Sequence, residues 1–170
     1  MIPAFSVVGK SNTGKTTLIE KLLPELKRRG YRVATVKHDV HGFEIDHEGK
    51  DSWRHRQAGA DVVVIASPDK MAMIEALSGE SPLEDILARV RGVDLIITEG
   101  FKRGPMPKIE VLRSARSMDL LCAGDPLLLA IASDVLLNGT APAAVPVFDW
   151  NDTTGLVDLI QRRFLGVGAP

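Results

Sequence analysis

The segment SVVGKSNTGKTTLIEKLL, residues 6–23, decides the fold. An apolar run leads into a glycine-rich turn and then into a segment whose leucines have helical spacing. Within it, Gly9, Gly14, Lys15 and Thr16 match the pattern G-x-x-x-x-G-K-[ST] of a phosphate-binding loop. Because kinases, switches, transporters and assembly factors all contain such a loop, the motif predicts a bound polyphosphate and leaves its use open.

The composition limits the classes of protein to consider. The 170 residues predict a single nucleotide-binding domain over 1–170, and a net charge of −1 argues against a bulk nucleic-acid binder. The single cysteine, Cys122, excludes a disulfide within the chain and is expected to be a buried apolar residue. With no signal peptide pattern and no apolar run of membrane-spanning length, we expect a cytoplasmic protein without a membrane partner.

Strand and helix patterns alternate along the chain. Strands are predicted at 4–8, 31–37, 60–66, 71–74, 93–100, 107–112, 126–133 and 145–149. Helices are predicted at 15–29, 51–58 with Asp51 as the N-cap, 81–92 and 152–164. Buried strands separated by helices predict the α/β fold of P-loop NTPases, with three layers and a mostly parallel central sheet flanked by helices. Ligands of such sheets bind at the carboxyl ends of the strands.

The loop residues have separate predicted tasks. Gly9 and Gly14 permit unusual dihedral angles and a close approach of the backbone to phosphate. Lys15 is expected to reach the terminal phosphates, and the Thr16 hydroxyl to ligate Mg²⁺. Lys10 follows the first glycine, where one subclass of P-loop proteins carries a lysine that acts across a dimer interface. The alternative is a loop lysine that strengthens anion binding in its own subunit.

An acidic residue near the Mg²⁺ is the second requirement of a P-loop enzyme. The strand VDLIITEG offers Asp94 and Glu99, which lie roughly 16 Å apart at 3.3 Å per residue. Glu99 stands at the carboxyl end, so we expect it to hold a Mg²⁺-bound water or to polarise an attacking water, and Asp94 only to cap or face solvent. In the basic loop that follows, Lys102 could hold a second anionic ligand or be an ordinary surface residue.

All four histidines occur within residues 37–61. Asp39, two residues past a strand, is a candidate direct or indirect Mg²⁺ ligand. His38 and His41, with Asp39 or His47, could bind a transition metal. Their spacing matches no strong metal-ligand pattern, however, so a binding site for an anionic group is favoured. Lys50 and Arg54 share one helix face, as do Ser52 and Arg56, so either pair could hold a phosphate or a pterin-like ligand. The alternative is a solvated basic face with Trp53 in the core.

In this architecture, the purine base is expected to be recognised by residues in the loops after the late strands. Asp134 ends AIASD, and a carboxylate there can accept both the N1–H and the N2 amino group of guanine. No N-K-x-D sequence is present to support this role. The alternative is that Asp134 caps a turn or a helix. Asp149 and Asn151, after the last predicted strand, are further candidates.

Six motifs in this order resemble the MobB family of molybdopterin-guanine dinucleotide biosynthesis proteins. They are GKSNTGKTT (9–17), VATVKHDVHG (33–42), GKDSWRHRQAGAD (49–61), ITEGFK (97–102), PKIEV (107–111) and AIASD (130–134). The resemblance implies a GTP-binding adaptor with weak GTPase activity, which forms homodimers. It also implies assistance to a guanylyltransferase of the MobA type that attaches GMP to molybdopterin carrying molybdenum.

Carried over by position, the resemblance implies roles for particular residues. It implies Glu99 for the acidic Walker B role and Asp134 for guanine. The segment 37–61 and the loop of Lys102 become the expected face for the pterin or the partner enzyme, with contacts from His38, His41, Lys50, Arg54 and Arg56. It further implies that phosphates are bound by a continuous run of residues, namely Gly9, Lys10, Ser11, Asn12, Thr13, Gly14, Lys15, Thr16 and Thr17.

Two other functions remain compatible with the sequence. A small-molecule P-loop kinase would have the same size and fold, although no lid-length insertion follows DSWRHR. A nickel metallochaperone GTPase would use His38 and His41 to hold its metal. Acceptor-dependent phosphate transfer and retained metal, respectively, would identify these alternatives.

Overall fold

Six parallel strands form the central sheet of the computed structural model, which describes residues 1–39, 42–137 and 141–166. The strand order is β2-β5-β1-β6-β7-β8, and every neighbouring pair is parallel. The strands are β1 (Ala4–Val8), β2 (Val33–Lys37), β5 (Leu95–Glu99), β6 (Lys108–Leu112), β7 (Leu128–Ser133) and β8 (Val147–Asp149). The predicted mostly parallel α/β sheet is confirmed.

Two helices share the larger core with one face of this sheet. Helix α1 (Lys15–Arg28) buries Leu18, Ile19, Leu22 and Leu26, whose spacing places them on one side of the helix. Helix α4 (Thr153–Ile160) begins after Asp152, whose carboxylate accepts a hydrogen bond from the Gly155 amide, and continues as a π-helical turn over Gln161–Leu165. Arg29 joins the two helices through an ion pair of 2.6 Å with Asp158.

The opposite face of the sheet has a smaller core. Val8, Leu112 and Ile131 pack there with Cys122 and Leu128, and the partly buried Leu120 and Val145 lie against them. Between β1 and β5, the hydroxyls of Ser6 and Thr98 form a buried hydrogen bond of 2.7 Å. Among the described residues, no helix is both long and apolar enough to cross a bilayer.

The chain divides into two compact units. One contains Met1–His38 with Leu87–Pro170, and the other is the continuous segment Asp39–Ile86. Helix α3 (Leu83–Arg89) crosses the boundary at Ile86. The single nucleotide-binding domain over 1–170 stays a prediction.

The second unit contains helix α2 (Asp51–Gln57) and an antiparallel hairpin of β3 (Val62–Ala66) and β4 (Met71–Glu75). The apolar run of β3 predicts a buried strand, and this is wrong for Val62, Val64 and Ile65, which are exposed. The strand does not join the parallel sheet but pairs with β4 through a short connection, in which Ser67 and Lys70 close a turn by a 2.8 Å backbone hydrogen bond. Such a turn can join only antiparallel strands, because a parallel pair needs a crossover.

The start of helix α2 also differs from the prediction. Lys50 has the extended backbone of an N-cap residue, and Asp51 is the first helical residue, so Asp51 does not cap the helix. Its carboxylate instead lies 3.8 Å from the Arg54 guanidinium, one turn later. A negative charge in the first turn still favours the helix dipole. Trp53 is half-buried rather than a core residue.

Candidate nucleotide-binding site

The glycine-rich loop after β1 is held by close backbone packing. Gly9 has φ +148°, and a Cβ atom there would lie 2.7 Å from the carbonyl oxygen of Val111. Asn12 adopts the left-handed region with φ +61°, and Thr13 donates its hydroxyl to the Lys10 carbonyl at 2.9 Å. Gly14, with φ +91°, leads directly into α1, which has no side-chain cap on its first-turn amides. These amides fit the anion site expected at such a helix start.

Lys15 folds over the loop. Its Nζ donates to the carbonyl oxygens of Lys10 at 2.9 Å and Gly9 at 3.2 Å. Burial lowers the pKa of Lys15, the Glu99 carboxylate opposes that shift, and the Lys37 charge adds to it. Lys37 pairs in register with Glu99 at the end of β2, so it is a further cation near the loop to which the sequence assigned no role. The position of Lys37 at the carboxyl end of a predicted strand was the feature of the sequence that could have identified it.

Thr16 and Glu99 meet, as the sequence predicts. The Thr16 hydroxyl lies 2.9 and 3.0 Å from the two carboxylate oxygens of Glu99. Asp94 lies at the opposite end of β5, where it accepts a hydrogen bond from the Arg32 amide at 2.7 Å. A hydroxyl and a carboxylate are hard oxygen donors of the kind that Mg²⁺ prefers, so the residues present fit this ion. Metal ligation by Thr16 and Glu99 stays a prediction.

Lys10 is bound within its own chain. Its Nζ forms an ion pair of 2.7 Å with Asp119 and donates to the Ser117 hydroxyl at 2.8 Å. The hydrogen bond from Lys10 holds the pKa of the Asp119 carboxyl below its usual value. Both partners belong to the segment after β6, which therefore contacts the phosphate-binding loop. Action of Lys10 across a dimer stays a prediction.

Asp134 already has three donors on its carboxylate. Oδ1 accepts from the Ser114 amide at 2.8 Å, and Oδ2 accepts from Arg113 Nε at 2.9 Å and the Ser114 hydroxyl at 3.2 Å. The hydrogen bond from the Ser114 amide is the main cause that lowers the pKa of Asp134, although burial opposes it. Sequence reasoning did not find Arg113, because nothing in the pattern after β6 marks it.

A cavity of about 350 Å³ opens beside Asp134. Residues 133–137 and β8 line it, at the carboxyl ends of two neighbouring strands. Asp149, a further candidate for the base, lies on its rim and accepts a hydrogen bond from the Asn151 amide at 2.7 Å. The volume is in the range of pockets that hold small ligands.

Trp150 directly follows β8, which lines this cavity, and lies next to the phosphate-binding loop. Lys21 Nζ stands 3.5 Å from the indole centroid, and the Arg113 guanidinium carbon stands 3.6 Å from it. A Cβ atom on Gly14 would lie 3.2 Å from the indole. Lys21 also donates to the Asn151 side chain at 2.6 Å. Trp150, directly after β8, therefore meets a cation directly after β6 and a cation of α1 beside the loop.

The remaining predicted residues are divided between the two units. His38 stacks on Phe101, with ring centroids 4.5 Å apart, and Lys102 is exposed. Asp39, Lys50, Arg54 and Arg56 belong to the second unit, where Arg56 forms an ion pair of 2.6 Å with Glu44. His41 lies outside the described residues. Within the described ranges, no group of three or more His, Cys, Asp or Glu side chains is arranged to hold a metal ion. The roles predicted for these residues stay predictions.

Comparison with known proteins identifies the family. The family model of MobB, described as molybdopterin guanine dinucleotide synthesis protein B, matches residues 4–134. The chain belongs to the MobB family. The resemblance expected from the sequence motifs is thereby confirmed.

Relatives and solved structures of the MobB family match most of the chain. Molybdopterin-guanine dinucleotide biosynthesis adapter proteins of Escherichia coli and Haemophilus influenzae are each 38% identical, over 94% and 78% of this chain and 92% and 75% of their own. A crystal structure of molybdopterin-guanine biosynthesis protein B has a TM-score of 0.74 at 33% identity, covering 94% of this chain and 98% of that chain. Bacillus subtilis MobB has a TM-score of 0.74 at 28% identity, covering 98% of this chain and all of that chain.

Proposed function

We propose that this protein is a GTP-binding adapter of molybdopterin guanine dinucleotide biosynthesis, with slow GTP hydrolysis. The names of the relatives support the adapter role. The observation that supports nucleotide binding is the contact of Thr16 with Glu99, which joins the end of the glycine-rich loop to the end of β5. A hydroxyl and an acid placed together at a helix start are the ligand set of a magnesium–triphosphate complex.

The residues divide the work of holding GTP. The amides of residues 9–17 and the Lys15 ammonium hold the phosphates, and Thr16 and Glu99 hold Mg²⁺ directly or through water. Bound Mg²⁺ would supply positive charge that stabilises the negative charge of the phosphates. Glu99 orients the attacking water, and Asp134 accepts the N–H groups of guanine. We expect hydrolysis to be slow, and the nucleotide to serve assembly of the cofactor rather than transfer to a small acceptor.

The partners follow from the adapter role. We expect a guanylyltransferase of the MobA type and molybdopterin, or the molybdenum cofactor, to bind this protein. His38 and Lys102 of the first unit and Lys50, Arg54 and Arg56 of the second are the candidate contacts. His41 is a further candidate, outside the described residues.

Calorimetry of Mg²⁺ with GTP and with ATP tests the function directly. Wild type is expected to bind GTP, with and without added molybdopterin, and Lys15→Ala to lose binding. The control is Lys27→Ala, which removes an exposed lysine from the same helix. Unchanged GTP affinity in Lys15→Ala would contradict the phosphate site. Rapid phosphate transfer to a metabolite acceptor would identify a kinase instead.

The homodimer has a candidate surface in the second unit. Val64 and Met73 are cross-strand partners of the hairpin, and each is 54% exposed, while Met71 is 71% exposed. A two-stranded sheet is marginal alone, and an apolar face of this kind favours a protein contact. Sedimentation is expected to give a dimer for wild type and a monomer for the double variant Val64→Lys with Met73→Lys. A dimer in both would place the contact elsewhere.

A further inference from the structure

Arg113 touches both sides of the nucleotide-binding site. Its Nε donates to Asp134 Oδ2 at 2.9 Å, beside the cavity. Its guanidinium also covers one face of the Trp150 indole at 3.6 Å. Its Nη1 atom comes within 3.5 Å of the position that a Cβ on Gly14 would take. One guanidinium therefore connects the candidate base reader with the loop that is proposed to hold phosphates.

The carboxylate of Asp134 is nearly saturated while Arg113 remains there. A carboxylate offers about four lone-pair sites, and three donors already occupy them. Guanine presents two donors on one edge, so a bidentate contact requires one present donor to leave. Ser114 holds the carboxylate through a backbone amide, which cannot move away without moving the chain. Arg113 and the Ser114 hydroxyl are side-chain donors that can turn away, and of these two only Arg113 also contacts Trp150 and lies near the loop.

The indole of Trp150 is covered on both faces. Lys21 lies 3.5 Å from the ring centroid and Arg113 lies 3.6 Å from it. A purine ring or ribose can reach the indole only when one cation leaves. Arg113 is the cation whose departure would also free an oxygen of Asp134.

We propose that Arg113 exchanges partners when the nucleotide binds: its guanidinium leaves Asp134 and Trp150 and pairs with the phosphates. The exchange rests on the proposed binding of GTP at this site. A triphosphate carries more negative charge than one carboxylate, and the planar guanidinium fork matches phosphate oxygens. Departure of Arg113 frees one oxygen of Asp134 and one face of the indole for the base. Arg113 thus makes reading of the base conditional on bound phosphate.

The test uses Trp150 as the reporter in a Trp53→Phe background, since the chain has two tryptophans. Dissociation constants for GTP and ATP with Mg²⁺ are measured for Arg113→Gln. A lost charge-assisted hydrogen bond is expected to raise both constants about ten- to a hundredfold. The matched control is Arg116→Gln, an exposed arginine three residues later, which is expected to leave both constants within about twofold. Trp150 emission is expected to change when GTP binds.

A second variant tests the exchange from the carboxylate side. In Asp134→Asn, Arg113 no longer has an ion pair to break, so ATP, which does not need the carboxylate, is expected to bind several-fold more tightly. This result does not depend on whether Arg113→Gln folds. If Asp134 only reads guanine, ATP affinity stays unchanged and the exchange is wrong.

Two other results would overturn the exchange while leaving GTP binding intact. Weaker GTP binding with unchanged ATP binding in Arg113→Gln would mean that Arg113 only orients Asp134. Unchanged binding of both nucleotides would mean that Arg113 does not reach the phosphates. Failure of the wild-type protein to bind either nucleotide would contradict the proposed function itself.

Discussion

The Thr16 hydroxyl lies 2.9 Å from Oε2 and 3.0 Å from Oε1 of Glu99, although 83 residues separate the two in sequence. The sheet explains the meeting. Glu99 pairs in parallel register with Val7 of β1, just before the glycine-rich loop. The carboxyl ends of β1 and β5 therefore deliver the loop and the acid to one point.

Glu99→Gln is expected to slow GTP hydrolysis more than it weakens GTP binding. The amide keeps the size and one acceptor of the carboxylate but loses the charge that orients water and Mg²⁺. We expect kcat to fall by about a hundredfold, within the usual range for general acid–base groups. Single-turnover hydrolysis and calorimetry measure the two effects separately.

The matched control is Glu20→Gln, which changes an exposed carboxylate of helix α1. Glu20→Gln is expected to leave both kcat and the affinity for GTP unchanged. An equal kcat in Glu99→Gln and wild type would remove Glu99 from the mechanism.

Asp134→Ala is expected to narrow the preference for GTP over ATP. Guanine loses an acceptor for its ring N–H and amino group, and adenine presents no such pair of donors. A loss of about tenfold in the ratio of affinities follows from one hydrogen bond to a charged group. Competition titration of the two nucleotides measures the ratio. A retained preference would move the base reader elsewhere, with Asp149 the next candidate.

Lys108→Met is expected to destabilise the fold by about 3 kcal/mol, since it breaks a buried ion pair. Lys108 is 1% exposed, and its ammonium contacts Asp125 at 2.9 Å and two carbonyl oxygens, those of Gly104 at 2.8 Å and Met106 at 3.0 Å. Urea unfolding measures the free energy. The control is Lys102→Met, which changes an exposed lysine. An equal loss of unfolding free energy in both variants would contradict the stabilising role of the Lys108 ion pair.

The Asp125 carboxylate makes the stabilising effect of its ion pair with Lys108 dependent on pH. The hydrogen bond from Lys108 lowers the pKa of the Asp125 carboxyl below its usual value. A lowered folded-state pKa stabilises the protein above the unfolded pKa, and this contribution disappears as the pH falls through the folded value. The difference in unfolding free energy between wild type and Asp125→Asn is therefore expected to be constant from about pH 7 to 5 and to shrink below about pH 4. A difference that grows on acidification would refute this sign.

Cys122 is expected to react slowly with thiol reagents in the native protein. Burial raises its pKa to about 11, and the negative charge of Glu110 adds to the shift. The reactive thiolate is therefore scarce at neutral pH. Alkylation rates in native and urea-unfolded protein measure the contrast. Equal rates would show that the thiol is accessible.

The sequence was sufficient for the sheet and for part of the site. Apolar runs between helices predicted the strands, and the strand-end rule placed Glu99 beside Thr16. The exposed hairpin was not predictable from the same rule, because β3 has the apolar run of a buried strand. Arg113 and Asp119 were not found either, since their roles depend on how the segment after β6 folds back onto the loop. Long-range contacts of that kind leave no periodic signal.

The separation of the chain into two units has an evolutionary consequence. The path leaves the first unit after His38 and re-enters it at Leu87, so the second unit is a single continuous insertion. Lengthening, shortening or replacing such an insertion changes no register in the six parallel strands. Selection can therefore remodel the stretch between Asp39 and α3 for new binding partners while the six strands that bring Thr16 and Glu99 together keep their register.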